Sequence, residues 1–466
     1  MLKNLQNIII NSRSFLPIVE GGKGIGVSNG ITAGNFALNS CIGTFSGVNP
    51  DFISSNGEVK RFILKAKNRF ERHLEMIQNS IKGIISQAKI ARDIAGNKGR
   101  IHMNVMWEMG GTEHILEEVL QKVKGLIQGI VCGAGLPYKL GDICAKYKTN
   151  YFPIVSSMRA FRVLWKKSYE RTKEWLGGVV YECPWRAGGH NGLSNNEDPY
   201  TKGDTYERVS ELRTFMNQAN LVETPIIIAG GVWNIKEYGK FLNNEKIGKV
   251  AFQFGTRPML TKESPISNEW KQVLLHLKPE DIKTNKFSPT GFYSSAINSV
   301  YLKELFDRST RQVNFSVEKN DIFDFEIVDV DGIKIFVKSE DIKNINNWMM
   351  GGYNKISKTP DNTALFITKE KFNELKNDVC NCCGCLSQCQ FSCWSQSTTN
   401  NTTGKIPDFR KICIQKALQN AIHNEEIEKQ LYFAGSEAYR FATDPLYKNG
   451  YIPSIKELVE NLVEGR

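Results

Sequence analysis

At 466 residues, 41% hydrophobic and 23% charged, the chain has the make-up of a globular protein larger than one average domain. No run approaches the ~18 apolar residues of a membrane span, and Ile8-Ile9-Ile10 near the N-terminus is too short for a secretory signal, so a cytoplasmic protein without membrane contact is expected. The net charge of +11 invites a polyanion, yet Lys and Arg are interleaved with Glu, as in Glu71-Arg72 and Glu170-Arg171, and no nucleic-acid-binding signature accompanies them, which argues against nucleic acid as a partner.

Along the first 260 residues, short β-branched runs alternate with longer helical patterns, the mark of a parallel sheet with crossover helices. Eight strands are predicted, over Leu16–Val19, Cys41–Ser46, Ile101–Met106, Leu126–Cys132, Tyr151–Val155, Gly178–Cys183, Pro225–Ala229 and Lys249–Phe254. Several are apolar throughout, as strands covered on both faces must be. Helical patterns fall between them, over Lys60–Ala95, Thr112–Lys124, Ala160–Trp175, Thr205–Ala219 and Asn234–Leu242. The segment after the second strand reads as a helical insertion. The count and order predict an α/β fold, a (β/α)8 TIM barrel, rather than a doubly wound sheet.

Beyond Thr261 the pattern changes. Alternation through Asp324–Val337 around Asp331-Gly332 suggests a β-hairpin. Six cysteines then crowd into residues 380–393, followed by a polar tract, Ser397–Gly404, that reads as a mobile loop, and a helical tail over Ile412–Arg466 broken at Pro445 and Pro453. The expected organisation is a barrel over residues 1–262, an α+β extension over 263–378 read as packing without functional signal, and a Cys-rich cluster with helical tail over 379–466.

In a barrel, function gathers where the strands end at their C-termini. The first strand runs into Glu20-Gly21-Gly22-Lys23-Gly24, the sixth into Ala187-Gly188-Gly189-His190, the seventh into Gly230-Gly231 and the eighth into Gln253-Phe254-Gly255-Thr256-Arg257. Without a Cβ, backbone N–H groups can turn together onto an anion. The Gly pair after strand seven alone could be only a tight turn, but together with Gly255 after strand eight it marks the usual barrel phosphate site, to which Thr256 adds a hydroxyl. His190, set among glycines, is the candidate proton carrier, because imidazole titrates near neutrality.

These residues resemble the nitronate monooxygenase (2-nitropropane dioxygenase-like) family of FMN-dependent barrels over roughly residues 15–262. The similarity is carried by Pro17-Ile18-Val19-Glu20-Gly21-Gly22-Lys23-Gly24, Asn104, Gly133-Ala134-Gly135-Leu136-Pro137, Ala187-Gly188-Gly189-His190, Pro225 through Gly231, and Gln253 through Arg257. The resemblance implies FMN at the barrel mouth, held by Gly21, Gly22, Lys23, Asn104, Gly188, Gly189, Gly230, Gly231, Gln253, Gly255 and Thr256. It also implies His190 as catalytic base in oxygen-dependent oxidation of nitronates or nitroalkanes. Two departures bear on the substrate. Lys23 stands where the family has an apolar residue, and Glu182-Cys183-Pro184-Trp185 replaces a Gln-Gly stretch with one residue added. NAD(P)H-dependent enoyl reductases of the same flavin-barrel family share the Gly-Gly-His loop and form the second reading. A non-redox, phosphate-binding lyase or isomerase barrel is the third. A small-molecule substrate is common to all, and a homo-oligomer stays open.

The cysteine spacing, Cys382-x2-Cys385-x3-Cys389-x3-Cys393, would place thiols on successive helical turns and offers metal ligands for [4Fe–4S] or zinc, or else a set of reduced thiols.

Overall fold

A computed structural model describes the chain except residues 1, 3–4, 55–57, 62, 195–196, 400 and 424–425. Phe62 of the predicted insertion helix and Asn400 of the polar tract therefore lie outside the described residues. Eight parallel strands close a barrel: β1 (Ile18–Glu20), β2 (Ile42–Ser46), β3 (Arg100–Met106), β4 (Gly129–Gly133), β5 (Asn150–Val155), β6 (Val179–Glu182), β7 (Ile226–Ala229) and β8 (Val250–Phe254). The register runs on around the ring, with Val180 level with Ile227, Ile227 with Ala251, and Phe252 with Ile18 where β8 closes on β1. Each strand falls within two or three residues of its sequence prediction.

Side chains alternating along the strands build two layers. Val19, Ile42, Val131, Phe152, Val180, Ile227 and Ala251 fill the interior. An N-terminal hairpin, Ile8–Ile10 with Arg13–Phe15, adds Ile8, Ile10 and Phe15 to that cluster and plugs the N-terminal end of the barrel. Burying each such Ile or Phe contributes about 1.5–3 kcal/mol. The opposite end, where the strands finish, stays open for a site.

Outside the ring lie α1 (Gly30–Leu38), α2 (Arg69–Ala95), α3 (Thr112–Lys122), α4 (Leu140–Lys146), α5 (Met158–Lys167) and α6 (Thr205–Gln218). Their starts follow the capping rules: Asn29 closes a capping box with Thr32, and Asn68 accepts from the N–H of Glu71. That Asn68 cap shortens the predicted insertion helix, which begins at Arg69 rather than Lys60. The helix predicted over Ala160–Trp175 is broken at Ser168, beyond which Tyr169–Trp175 is 3-10 helix, and Ile235–Phe241 is likewise 3-10 helix.

The rest of the chain wraps the barrel. It carries α7 (Asn268–Leu275), α8 (Val300–Thr310), α9 (Ile342–Met350), α10 (Lys369–Cys380), α11 (Ile414–Ile422) and α12 (Ile455–Glu464). The last helix packs against α1, and Leu2 donates to the carbonyl of Val463 at 2.7 Å, so both ends of the chain meet on the outer wall. The predicted hairpin forms, pairing Phe325–Val328 with Lys334–Val337 around Gly332 at φ +79°. It shares a separate small core of Val313, Ile335, Val337, Ile345 and Phe366 with neighbouring strands. Among the described residues, no helix is long and apolar enough to cross a membrane.

Candidate functional site

At the open end of the barrel a cavity is lined by all twelve residues singled out for catalysis and cofactor binding: Gly21, Gly22, Lys23, Asn104, Gly188, Gly189, His190, Gly230, Gly231, Gln253, Gly255 and Thr256. They come from the ends of β1, β3, β6, β7 and β8, far apart in sequence and adjacent only because the barrel closes.

One side of the cavity is built to approach an anion. Gly230 and Gly231 hold φ +82° and +74°, and a Cβ on Gly231 would meet Arg186 Cβ at 2.6 Å, so only glycine carries the chain through this turn. A Cβ on Gly255 would project into open space, where a ligand can approach the backbone. Among the described residues, nothing accepts from the N–H groups of Gly231, Gly255 or Thr256. Thr256 Oγ1 accepts from Gly435 N at 3.1 Å and keeps its own proton to donate. Arg257, which continues the motif, is buried beneath the loop, donating to Trp233 O at 2.9 Å and pairing with Asp444 at 3.2 Å; it braces the loop rather than facing the cavity.

Next to it, Gly22 lies against Asn104 so closely that a Cβ would come within 2.2 Å of Asn104 Cβ. Lys23 Nζ donates to Gly21 O at 2.7 Å and pairs with the fully buried Glu20 at 3.4 Å, while Thr44 N donates to the same carboxylate. Burial raises the Glu20 pKa and lowers that of Lys23, each countered by the other's charge. The Lys23 cation is thus already balanced by a carboxylate of its own turn.

Across the cavity, His190 sits in a two-residue strand, Gly189–His190, paired antiparallel with Ser294 and Ser295 of the extension. Its Nε2 is 2.5 Å from Ser288 Oγ, which in turn lies 2.9 Å from Thr290 Oγ1. Burial lowers its pKa to about 4, so the ring is neutral at neutral pH. Among the described residues, Nδ1 has no protein partner, and it is left for a ligand.

The roof comes from the C-terminal segment. Ile414, Gln415, Leu418 and Ala421 of α11 line the cavity along one helical face, and Leu431, Phe433 and Ala434 continue it. Residues 263–378, read from the sequence as packing without functional signal, contribute Ser288, which reaches His190. Sequence reasoning missed Ser288 and this roof, since neither carries a motif and both meet the barrel across more than 90 residues of chain. Glu182, at the tip of β6, also lines the cavity. It was legible only as a departure from the family pattern.

The cysteines form no common ligand set. After Cys380 the chain leaves the helix, turns at Gly384 (φ +66°) and folds into a small hairpin, Gln388–Cys389 with Trp394–Ser395, and Cys393 itself has φ +58°. Helical spacing therefore does not apply to Cys382, Cys385, Cys389 and Cys393. The thiol of Cys382 donates to Ser392 Oγ at 3.1 Å, and that of Cys393 contacts Thr403 Oγ1 and donates to Lys405 O. Among the described residues, no three His, Cys, Asp or Glu side chains gather as a metal site. Cys385 is the member of that quartet that reaches the cavity wall.

No protein-family model matches the chain, and no curated protein matches it by sequence. Among solved structures, the enoyl reductase domain of MlnA from the macrolactin biosynthesis cluster of Bacillus amyloliquefaciens superposes with a TM-score of 0.57 at 12% identity, covering 97% of this chain and 93% of that one. FabK from Thermotoga maritima superposes with a TM-score of 0.50 at 13% identity, covering 96% and 92%. Nitroalkane oxidase from Streptomyces ansochromogenes reaches a TM-score of 0.45 over 62% of this chain. At such identities the similarity speaks for the fold.

Proposed function

We propose that this chain is an FMN-dependent oxidoreductase, and that it uses NAD(P)H to reduce an activated carbon–carbon double bond, as an enoyl reductase does. The observation that carries the flavin reading is the meeting, in one cavity, of three unengaged backbone N–H groups at Gly231, Gly255 and Thr256 with a neutral, hydrogen-bonded His190 opposite. The first group suits the FMN phosphate. Gly22 and Asn104, in contact, provide a flat wall for a ring. When bound, the flavin supplies the hydride chemistry, and the protein's share is orientation, exclusion of water and proton handling.

Oxidation of a nitronate remains the competing reading, since the motifs are common to both. Two observations favour reduction of an enoyl compound. The roof of the cavity is largely apolar and comes from the C-terminal segment, and the MlnA enoyl reductase domain covers 97% of this chain. Among the described residues, the cavity also offers an anion no free cation, because Lys23 is committed to Glu20, which disfavours a nitronate. His190, neutral with Nε2 engaged by Ser288, keeps Nδ1 to orient a bound group by a hydrogen bond.

The test is the visible spectrum of protein purified without oxygen. Flavin bands near ~450 nm that bleach with NADH or NADPH and recover with a short-chain enoyl thioester are expected. Bleaching by a nitronate alone would move the chain to the oxidase reading, and a colourless protein that FMN cannot reconstitute would overturn both.

A further inference from the structure

Among the described residues, six ionisable side chains line the cavity: Lys23, Glu182, His190, Cys385, Tyr432 and Glu437. Five of them are ill placed to hand over a proton near neutrality. Lys23 is tied to Glu20 and to Gly21 O. His190 is held neutral and has no second proton to give. A hydrogen bond with the Cys383 side chain, reinforced by burial, pushes the Cys385 thiol far above its ordinary range, and burial does the same to the Tyr432 phenol. Glu437 is occupied by Ser436 at 3.3 Å and Arg440 at 3.7 Å.

Glu182 differs from all five. It stands at the tip of β6, level with Ala229 of β7, beside the turn that carries Gly230 and Gly231. Its carboxyl forms no hydrogen bond or ion pair among the described residues, yet it lines the cavity and is not sealed in protein. An unpaired carboxyl in a low-dielectric enclosure is costly unless it is neutral or its partner is a ligand. Burial alone raises its pKa to about 7, with no cation close enough to oppose the effect.

We propose that Glu182 is the proton donor of this cavity, delivering a proton from its carboxylic acid to the bound substrate while His190 serves as a positioning hydrogen-bond partner. The proposal rests on the reductase reading above. Saturating a carbon–carbon double bond adds a hydride, drawn from the nicotinamide, to one carbon and a proton to the other. The proton leaves Glu182 Oε, the π pair of the double bond forms the new C–H bond with it, and the resulting carboxylate is reprotonated from water. A carboxylic acid titrating near the working pH is the efficient choice for such a transfer.

Two measurements on the full-length protein decide it. The first is the 13C carboxyl spectrum of glutamate-labelled protein, in which the resonance missing from Glu182→Gln is that of Glu182. A titration midpoint near neutrality is expected, and one in the ordinary carboxylate range overturns the proposal. The second is stopped-flow kinetics of the two halves of the reaction. Glu182→Gln should leave bleaching by NAD(P)H unchanged and slow reoxidation by the enoyl thioester by ~10²-fold or more, with Glu182→Asp restoring part of the rate. Equal rates in both proteins, or loss of both halves together with flavin, assign Glu182 another role and overturn it. A colourless wild-type protein would sink the reductase reading, while the carboxyl titration would still decide whether Glu182 holds a proton there.

Discussion

Two side chains in the cavity carry opposite costs, and their pH signatures separate them. His190 is shifted from 6.5 to about 4, so between those values the unfolded chain binds a proton that the folded chain refuses. Its contribution to stability is full above pH 6.5 and is lost as pH falls toward 4. Glu182 is shifted from 4.5 to about 7, so the folded chain holds a proton that the unfolded chain has released. Its contribution is full below pH 4.5 and is lost as pH rises through 7. Glu182→Gln removes that loss, and should stabilise the protein by on the order of 2–3 kcal/mol at pH 8.5 but little at pH 5. Urea midpoints at the two pH values check this, and a variant that is more stable yet slower is the signature of a strained working residue. His190→Ala should lower turnover by ~10²-fold through lost positioning while retaining flavin, and Ser288→Ala should reproduce a smaller part of that loss, read from kcat at constant flavin content.

At the scale of elements, the site depends on loops that touch and on a roof that must stay shut. The β1 loop packs on β3 through Gly22 and Asn104 with no room for a methyl group, so Gly22→Ala must displace Asn104. It should weaken FMN binding at least ~10-fold, a cost of about 1.4 kcal/mol, measured by fluorescence titration of the apoprotein. Hydrogen bonds fasten α11 to the loop after β2, among them Asn49 to Gln415 at 3.1 Å, Gln419 to Asp51 at 3.2 Å, and His423 to Asp51 at 2.7 Å. A double-mutant cycle on Asp51→Ala and His423→Ala should show a coupling of about 0.5–3 kcal/mol. Flavin should dissociate faster from either variant if this latch keeps the roof on the cavity.

Over the whole molecule, the barrel and the C-terminal segment share one apolar core, in which Phe45 and Ile101 belong with Leu302, Leu418 and Leu458. The hairpin region is organised differently, around its own cluster of Val313, Ile335, Val337 and Phe366. A cavity there should therefore be felt locally. Phe366→Ala is expected to cost about 3–5 kcal/mol and to leave the flavin spectrum unchanged. A loss of flavin from this variant would show that the two cores act as one.

The sequence by itself determined the repeating βα pattern, the eight strands and the glycine and histidine positions at their ends. These are local signals, because a strand covered on both faces must be apolar and a turn at positive φ favours glycine. Where the pattern depended on local competition, as at Asn68 and Ser168, a capping or breaking residue moved the boundary. The cysteine spacing misled because periodicity implies convergence only on a helix, and Gly384 and Cys393 take the chain elsewhere. Tertiary structure alone decided that Ser288 engages His190, that α11 roofs the cavity, and that Lys23 is neutralised by Glu20 while Glu182 is left alone. Charges and hydrogen bonds are settled by which side chains meet in space, and those partners stand 98 residues apart for Ser288 and His190 and only three for Glu20 and Lys23. No spacing rule links both distances; only the closed barrel and the segment wrapped over its mouth bring them to one site.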